Sequence, residues 1–278
     1  MHTGNETTRQ APRFYAADYP VSYRIKRIVD EAPAIKTFYL PVQLEFSPGR
    51  FVMLWVPGFD EKPFALTTSN RHEVGITVKQ RGPFTKKLFA LKEGALLGLR
   101  GPYGHGFSLE GVKRACVVSG GIGVAALVLL AEELARRKAR VDFVHGCRSK
   151  EDVLFKKRLS RVAKLHIATE DGSCGEKGYC TGILEKLLRK KKYDMLYCCG
   201  PEQMMKSVLQ LCNKYNVPAE FAVERYMKCG QGICGQCSLD GFLCCTDGPV
   251  FSREKLNKSR EFGKVRYEKT GKKSKFEV

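Results

Sequence analysis

The first part of the chain alternates short apolar runs with turns that are rich in glycine and proline. Residues 23–28, 35–40 and 51–56 combine β-branched and aromatic side chains, residues 75–79 are a further run with β-branched side chains, and Pro48 and Gly49 form a turn between two of these runs. Such runs are typical of short strands, and their frequent punctuation favours an antiparallel barrel. We therefore predict a barrel domain over residues 13–111.

From Lys113 onward, apolar strands alternate with amphipathic helices. The pattern predicts strands at 115–119, 141–146, 164–169 and 195–199, and helices at 124–137, 152–163, 182–192 and 203–215. A strand followed by a helix, several times over, indicates a doubly wound parallel sheet. We assign this α/β domain to residues 112–220.

Composition narrows the classes of protein that the chain can belong to. The 278 residues carry a net charge of +19 and twelve cysteines, and no run of about 18 apolar residues that would span a membrane is present. Residues 1–12 are polar, which predicts a disordered arm and not a secretory signal. Cysteines in a chain without an export signal indicate a reducing cytoplasm and metal or redox use. The lysines are spread over the chain without a nucleic-acid-binding motif, and residues 253–278 form a basic tail.

Three cysteines near the C-terminus have the spacing of a plant-type 2Fe–2S site. Cys229, Cys234 and Cys237 follow the pattern C-x4-C-x2-C, and the fourth ligand is either Cys244 or Cys245. Intervening glycines allow the backbone to curl around a cluster and to aim N–H groups at its sulfurs. A structural zinc site is the alternative, although zinc sites more often use two C-x2-C pairs. The sequence predicts an iron–sulfur module over residues 221–252.

Two turns of the α/β domain lie where dinucleotides bind in such sheets. Gly120, Gly121 and Gly123 link the first strand to its helix, and a second turn follows a later strand with Cys199, Gly200 and Pro201. Ligands bind at the carboxyl ends of the strands of open α/β sheets, where a pyrophosphate can approach a helix N-terminus. Ordinary βα turns are the alternative. Arg148, after the second strand, is able to receive a 2′-phosphate, so that NAD and NADP both remain open.

Three segments of the barrel are candidates for cofactor contacts, although each alone is also compatible with an ordinary turn. They contain Lys62 to Ala65, Gly82 to Thr85, and the turn from Gly101 to Tyr103. The middle segment suits a phosphate, because a glycine and a threonine hydroxyl precede a short helix.

In this order, the segments resemble the flavin-binding barrel and nicotinamide domain of the ferredoxin reductase family. Lys62 and Ala65 stand where that family often has an arginine and a serine, and a lysine meets a phosphate as a point charge. The resemblance implies FAD and NAD (or NADP) as cofactors. The residues that it implies for them are Lys62, Pro63, Phe64, Ala65, Val78, Lys79, Gly82, Phe84, Thr85, Gly101, Tyr103, Gly120, Gly121, Gly123, Cys199, Gly200 and Pro201.

Over residues 14–273 the chain resembles the electron-transfer subunits of heteromeric dihydroorotate dehydrogenases. In that family the last cluster ligand stands directly before x-Asp-Gly-Pro-Val-Phe, which matches Cys245. The resemblance implies a cytoplasmic heterotetramer of pyrimidine biosynthesis, in which an FMN-containing catalytic subunit oxidises dihydroorotate. Electrons then pass through the 2Fe–2S cluster and FAD to NAD, and this chain carries no catalytic residue for dihydroorotate itself. Alternatives are the small subunit of a sulfhydrogenase or of a ferredoxin:NADP reductase type complex, and a non-catalytic redox sensor.

Overall fold

The computed structural model describes residues 19–275, so the predicted disordered arm lies outside the described part of the chain. Short strands build the N-terminal domain because β-branched and aromatic residues alternate with turns. These strands are β1 (Val21–Arg24), β2 (Arg27–Ala32), β3 (Ile35–Leu40), β4 (Phe51–Val56), β5 (Asp60–Phe64), β6 (Thr68–Ser69), β7 (Val74–Lys79) and β8 (Leu96–Tyr103), and helix α1 (Pro83–Phe89) precedes β8.

The strands of this domain form two antiparallel sheets. One has the order β1-β8-β4-β5 and the other has the order β2-β3-β7-β6. Their apolar faces share one core, in which Phe38, Leu54 and Ile76 are fully buried. The predicted antiparallel barrel is confirmed.

The second domain is a sheet with helices on both faces. Its strands are β9 (Arg114–Gly120), β10 (Arg140–Cys147), β11 (Lys164–Thr169), β12 (Glu176–Lys177), β13 (Met195–Cys199) and β14 (Ala219–Ala222). Its helices are α2 (Val124–Arg136), α3 (Lys156–Leu159), α4 (Cys180–Lys190) and α5 (Glu202–Lys214). Helices α2 and α3 bury their apolar sides against one face of the sheet, and α4 and α5 bury theirs against the other face. These strands pair in parallel, as predicted.

The predicted helix over residues 152–163 is shorter in the structure. A 3-10 turn occupies Lys150–Asp152, and α3 spans only Lys156–Leu159. Phe155 separates them with a φ of 54°, a left-handed conformation that a continuous right-handed helix does not contain. The apolar residues that predicted one helix therefore belong to two short turns that pack on the same core.

The cysteine segment is inserted between two strands of the α/β sheet. Strand β17 (Val250–Ser252) follows the small hairpin of β15 (Ser238–Leu239) and β16 (Phe242–Leu243), and it pairs antiparallel with β14. The full order is β12-β11-β10-β9-β13-β14-β17. The predicted domain boundary after residue 220 falls within β14. Strands β14 and β17, on either side of the cysteine segment, belong to the same sheet, so the cysteine segment is part of the α/β domain.

The basic C-terminal segment contains regular structure. Helix α6 (Arg253–Lys258) is followed by a hairpin of β18 (Val265–Tyr267) and β19 (Lys273–Lys275). Phe262, between the helix and the hairpin, is buried against Phe221 of β14, with 6.4 Å between ring centroids. Within residues 19–275, no helix is both long enough and apolar enough to cross a membrane.

Candidate functional site

The cysteine loop directs backbone N–H groups at two of its sulfurs. Cys229 Sγ accepts hydrogen bonds from the N–H groups of Gln231 and Cys234, at 3.4 and 3.5 Å, and Cys245 Sγ accepts one from Gly232 N at 3.2 Å. Burial alone would raise the pKa of the Cys229 thiol. The backbone N–H groups of Gln231, Cys234 and Ile233 outweigh the effect of burial and lower this pKa to about 7. Such N–H donors are the environment that an iron–sulfur cluster needs around its sulfurs.

The two candidates for the fourth ligand differ in their surroundings. Cys244 is fully buried in the core, its N–H donates to Cys237 O at 3.1 Å, and burial raises the pKa of its thiol. The Cys245 sulfur accepts a hydrogen bond from the Gly232 N–H of the loop. Burial is the main cause that raises the pKa of the Cys245 thiol to about 12, and a hydrogen bond with the Cys237 thiol is the second cause. Among residues 19–275, no three cysteine, histidine or carboxylate side chains form a preformed metal centre. The ligand set Cys229, Cys234, Cys237 and Cys245 therefore remains a prediction, which the shared loop contacts of Cys245 favour.

A buried arginine joins the barrel to the cysteine loop. Arg100 of β8 binds the carboxylate of Glu61, donates to Cys229 O at 2.7 Å, and donates to the Tyr103 hydroxyl at 3.2 Å. The Gln231 side-chain amide also donates to the Tyr103 hydroxyl, at 3.3 Å. The predicted flavin-side turn and the predicted cluster loop are thus in direct contact. Neither Arg100 nor Glu61 was among the predicted site residues, because Arg100 contacts the loop at Cys229, 129 positions away in the chain, and Glu61 joins this network only through Arg100.

The barrel segment around Lys62 is enclosed by aromatic rings. Lys62 Nζ forms an ion pair with Asp60 at 2.5 Å and lies 5.8 and 5.4 Å from the ring centroids of Phe84 and Tyr226. Phe64 stacks on Phe84 at 6.1 Å. Lys62, which stands where the family often has an arginine, therefore lies beside Tyr226. Tyr226 belongs to the segment that leads into the cysteine loop. Pro63 lies in β5, and Ala65 follows that strand directly.

The predicted phosphate cradle caps its own helix. Thr85 Oγ1 accepts from the N–H groups of Arg81 and Gly82, at 2.8 and 3.0 Å, and donates to Gly82 O. The Thr85 hydroxyl therefore organises the turn before α1. The side chain of Val78 is buried in the barrel core, whereas the neighbouring Lys79 extends to Asp152 of the α/β domain, at 3.3 Å.

A cavity of about 880 Å³ lies at the carboxyl ends of the parallel strands. Residues from both predicted nucleotide turns line it: Gly120, Gly121, Gly123, Gly200 and Pro201. Cys199 is buried directly before them at the end of β13. The structure thus brings the two turns together at one cavity, which is where dinucleotides bind in folds of this type.

The glycines at this cavity permit two chain segments to approach closely. A Cβ atom on Gly123 would lie 2.5 Å from Cys199 O, and one on Gly120 would lie 2.5 Å from the sulfur of Met204. Gly200 has a φ of 158°, and a Cβ there would lie 2.8 Å from Gly120 N. Glycine is required at this turn because two backbones meet there.

A buried ion pair connects this cavity to the cysteine segment. Arg225 and Glu202 have side chains that are 1% and 5% exposed, and both guanidinium NH groups donate to the carboxylate. Glu202 begins α5 at the cavity wall, and Arg225 lies four residues before Cys229. Sequence reasoning missed this pair, because nothing in the local pattern distinguishes these two charges from the many on the surface.

Comparisons with known proteins agree with this geometry. A family model for an oxidoreductase NAD-binding domain matches residues 117–210, and one for the iron–sulfur cluster binding domain of dihydroorotate dehydrogenase B matches residues 224–257. A solved structure of an NADH-dependent reduced ferredoxin-NADP oxidoreductase aligns with a TM-score of 0.78 and 27% identity, over 84% of this chain and 88% of that one. The cytochrome b5 reductase domain of Ulva prolifera nitrate reductase, at 18% identity and a TM-score of 0.64, shares the fold over 74% of this chain and 96% of that one.

The fold and the site together define an oxidoreductase of the ferredoxin reductase class with an added iron–sulfur module. A protein of Methanocaldococcus jannaschii described as a probable dihydroorotate dehydrogenase B (NAD(+)), electron transfer subunit, is 46% identical over 91% of this chain and 98% of the relative. One of Methanothermobacter thermautotrophicus with the same description is 44% identical, over 91% of this chain and 96% of the relative. The chain belongs to the family of dihydroorotate dehydrogenase B electron transfer subunits.

Proposed function

We propose that this chain is the electron-transfer subunit of an NAD-linked dihydroorotate dehydrogenase of pyrimidine biosynthesis. The observation that carries the proposal is the similarity along almost the full length of relatives with that description. Oxidation of dihydroorotate to orotate would take place on a separate FMN-containing subunit in the cytoplasm. This chain would then contribute no catalytic residue to that step.

The residues of the chain fit three bound groups. Cys229, Cys234, Cys237 and Cys245 would hold a 2Fe–2S cluster, the barrel segments around Lys62, Gly82 and Gly101 to Tyr103 would hold FAD, and the cavity between the two glycine turns would hold NAD(H). When bound, FAD exchanges a hydride with nicotinamide and single electrons with an iron–sulfur cluster, which no amino-acid side chain does.

The chain itself would set the spacing and the surroundings of these groups. Arg100 holds the backbone of Cys229 against the turn that contains Tyr103, so the cluster loop and the flavin-side turn stay at a fixed separation. Arg225 and Glu202 fasten the approach to the cysteine loop to the wall of the nucleotide cavity. The N–H donors of the loop would stabilise negative charge on the sulfurs of Cys229 and Cys245.

Co-purification from native extract followed by cofactor analysis tests the proposal. We expect the chain to carry FAD and iron, to give the EPR signal of a reduced 2Fe–2S cluster, and to bring with it an FMN protein. The purified complex should convert dihydroorotate to orotate over many turnovers only when NAD⁺ is present to accept the electrons. Stoichiometric zinc without iron would contradict the cluster assignment.

A second candidate function is the small subunit of a ferredoxin:NADP reductase type complex. The structural similarity to an NADH-dependent reduced ferredoxin-NADP oxidoreductase, at 27% identity, supports it. The same co-purification separates the two functions, because this candidate requires a second flavoprotein in place of an FMN-containing dihydroorotate dehydrogenase subunit.

A further inference from the structure

The C-terminal hairpin forms part of the wall of the nucleotide cavity. Arg266 of β18 lines the same cavity as Gly120 to Gly123 and Gly200. This segment lies beyond residues 117–210 and 224–257, which the two family models match. The hairpin therefore adds a cation to the cavity from a part of the chain that neither model covers.

Hydrogen bonds from α5 position the segment that leads into the hairpin. The N–H of Gly263 donates to Glu202 Oε1 at 2.6 Å, and Gln203 Nε2 donates to Gly263 O at 3.2 Å. A Cβ atom on Gly263 would lie 2.6 Å from Lys206 Cδ, so the segment lies directly on the helix. Glu202 and Gln203 follow Pro201, and they therefore hold the hairpin beside the nucleotide turn.

The hairpin also contacts the cysteine loop and the segment that precedes the hairpin. Gln236, between two of the proposed cluster ligands, donates its side-chain amide to Glu268 O at 2.5 Å. Lys273 of β19 forms an ion pair with Glu261 at 2.5 Å, and the side chain of Phe262 is buried. These contacts hold Arg266 at the cavity by several independent attachments on both sides of the residue.

Three further cations, Lys79, Arg81 and Arg148, line the same cavity. Lys79 and Arg148 both approach Asp152, at 3.3 and 3.4 Å. Arg81 lines the cavity on the side of the barrel, together with Glu224 of the chain that leads into the cysteine loop. The glycine turns offer N–H groups to a pyrophosphate, but only a cation can balance the charge of that group. A planar guanidinium suits this task because it binds phosphate oxygens in a bidentate way.

We propose that Arg266 binds a phosphate of NAD(H), and that the C-terminal hairpin is therefore part of the nucleotide site. The proposal rests on the placement of NAD(H) in this cavity given under the proposed function. It gives the basic C-terminal segment a role in binding an anionic dinucleotide, in addition to its packing against the cysteine loop.

Calorimetric titration of the cofactor-loaded protein with NAD⁺ and with ADP-ribose tests the proposal. Because a charge-assisted hydrogen bond to phosphate is lost, Arg266→Ala should weaken the binding of both ligands by about tenfold or more. Arg266→Lys should restore part of the affinity, since it keeps the charge and loses the bidentate geometry. The matched control is Lys264→Ala, an exposed residue of the same segment that does not line the cavity, and its affinities should equal those of the wild type.

An Arg266→Ala protein that binds ADP-ribose as tightly as the wild type does would overturn the proposal. If that variant also lost FAD, Arg266 would belong to the flavin site instead. The titration requires neither the partner subunit nor dihydroorotate, so a negative result here leaves the co-purification result intact, and the reverse also holds.

Discussion

Arg100 shows how single residues connect the domains of this protein. It is 6% exposed, and a guanidinium so deeply buried is stable only when its donors have acceptors. Burial alone would lower its pKa, but the hydrogen bonds to Glu61 and Tyr103 outweigh burial and raise the pKa above the usual value. Arg100 is therefore charged at every physiological pH, and its bond to Cys229 O does not depend on protonation.

The choice between Cys244 and Cys245 is also made by individual contacts. We expect Cys245→Ser to lose most of the iron and the EPR signal of the reduced cluster, because the Cys245 sulfur accepts the Gly232 N–H and therefore faces the loop that would hold the cluster. Cys244→Ser should keep the iron but lower the unfolding temperature, since it puts a hydroxyl into a fully buried site at a cost of about 1–3 kcal/mol. Iron analysis, EPR and thermal unfolding of the two variants provide the measurements.

The same pair of variants contains its own control. Each replaces one sulfur with one oxygen, and the two positions are adjacent in the chain. Loss of iron from Cys244→Ser, with iron retained by Cys245→Ser, would reverse the ligand assignment.

At the level of elements, the sequence predicted what local patterns encode. The apolar runs of β3, β4 and β13 and the spacing of helices α2 and α5 were found because each segment carries its own periodicity. The two glycine turns were found because their glycines directly follow predicted strands, at the edge of the sheet where ligands bind. Short turns such as α3 were not, because the left-handed residue that breaks this helix is a phenylalanine and gives no signal in the sequence.

Features that depend on contacts between distant segments lay beyond the sequence. The insertion of the cysteine segment between β14 and β17 requires knowledge of which strands pair. The bond from Arg100 to Cys229 O and the ion pair of Arg225 with Glu202 likewise join residues that no periodicity relates. Similarly, the contacts of Glu202 and Gln203 with Gly263, which help to hold Arg266 at the nucleotide cavity, join segments that are about sixty residues apart in the chain.

The close approach of two turns at the nucleotide cavity leads to a prediction at this scale. Gly123→Ala would place a methyl group 2.5 Å from Cys199 O and 2.7 Å from Cys199 C, and a backbone cannot yield as a flexible side chain can. Such overpacking costs about 1–3 kcal/mol and should push apart the two turns that line the cavity. We expect a lower unfolding temperature and at least about tenfold weaker binding of NAD⁺, measured by calorimetry.

Gly182→Ala is the matched control for this change. Gly182 lies in α4, and beyond its chain neighbours and its own helix backbone no atom of the described residues lies within 4 Å of a Cβ built there. Because alanine favours a helix over glycine by about 1 kcal/mol, this variant should unfold at the same or a higher temperature and bind NAD⁺ normally. If Gly123→Ala also bound NAD⁺ normally, the spacing of the two turns would not determine the affinity for the nucleotide.

At the level of the whole molecule, the cysteine loop has one side toward the protein and one toward solvent. Arg100, Gln231 and the Tyr103 turn hold its inner side, whereas Cys234 is exposed and the neighbouring Ile233 is 80% exposed. A large apolar side chain beside a proposed cluster ligand is the type of residue that a partner protein buries. The proposed route for electrons between subunits would therefore leave the molecule at this face.

Ile233→Glu tests that arrangement in the assembled complex. Because an apolar anchor becomes a charge, we expect affinity for the proposed FMN subunit to fall by at least about tenfold, while iron content and the EPR signal stay unchanged. The control is Leu96→Glu, since Leu96 is also apolar and exposed. Leu96 begins β8, whereas Tyr103, which contacts the cysteine loop, ends that strand, so Leu96 lies away from the loop. Affinity measured by biolayer interferometry should be unchanged in Leu96→Glu. Wild-type affinity in Ile233→Glu would place the subunit interface on another face of the molecule.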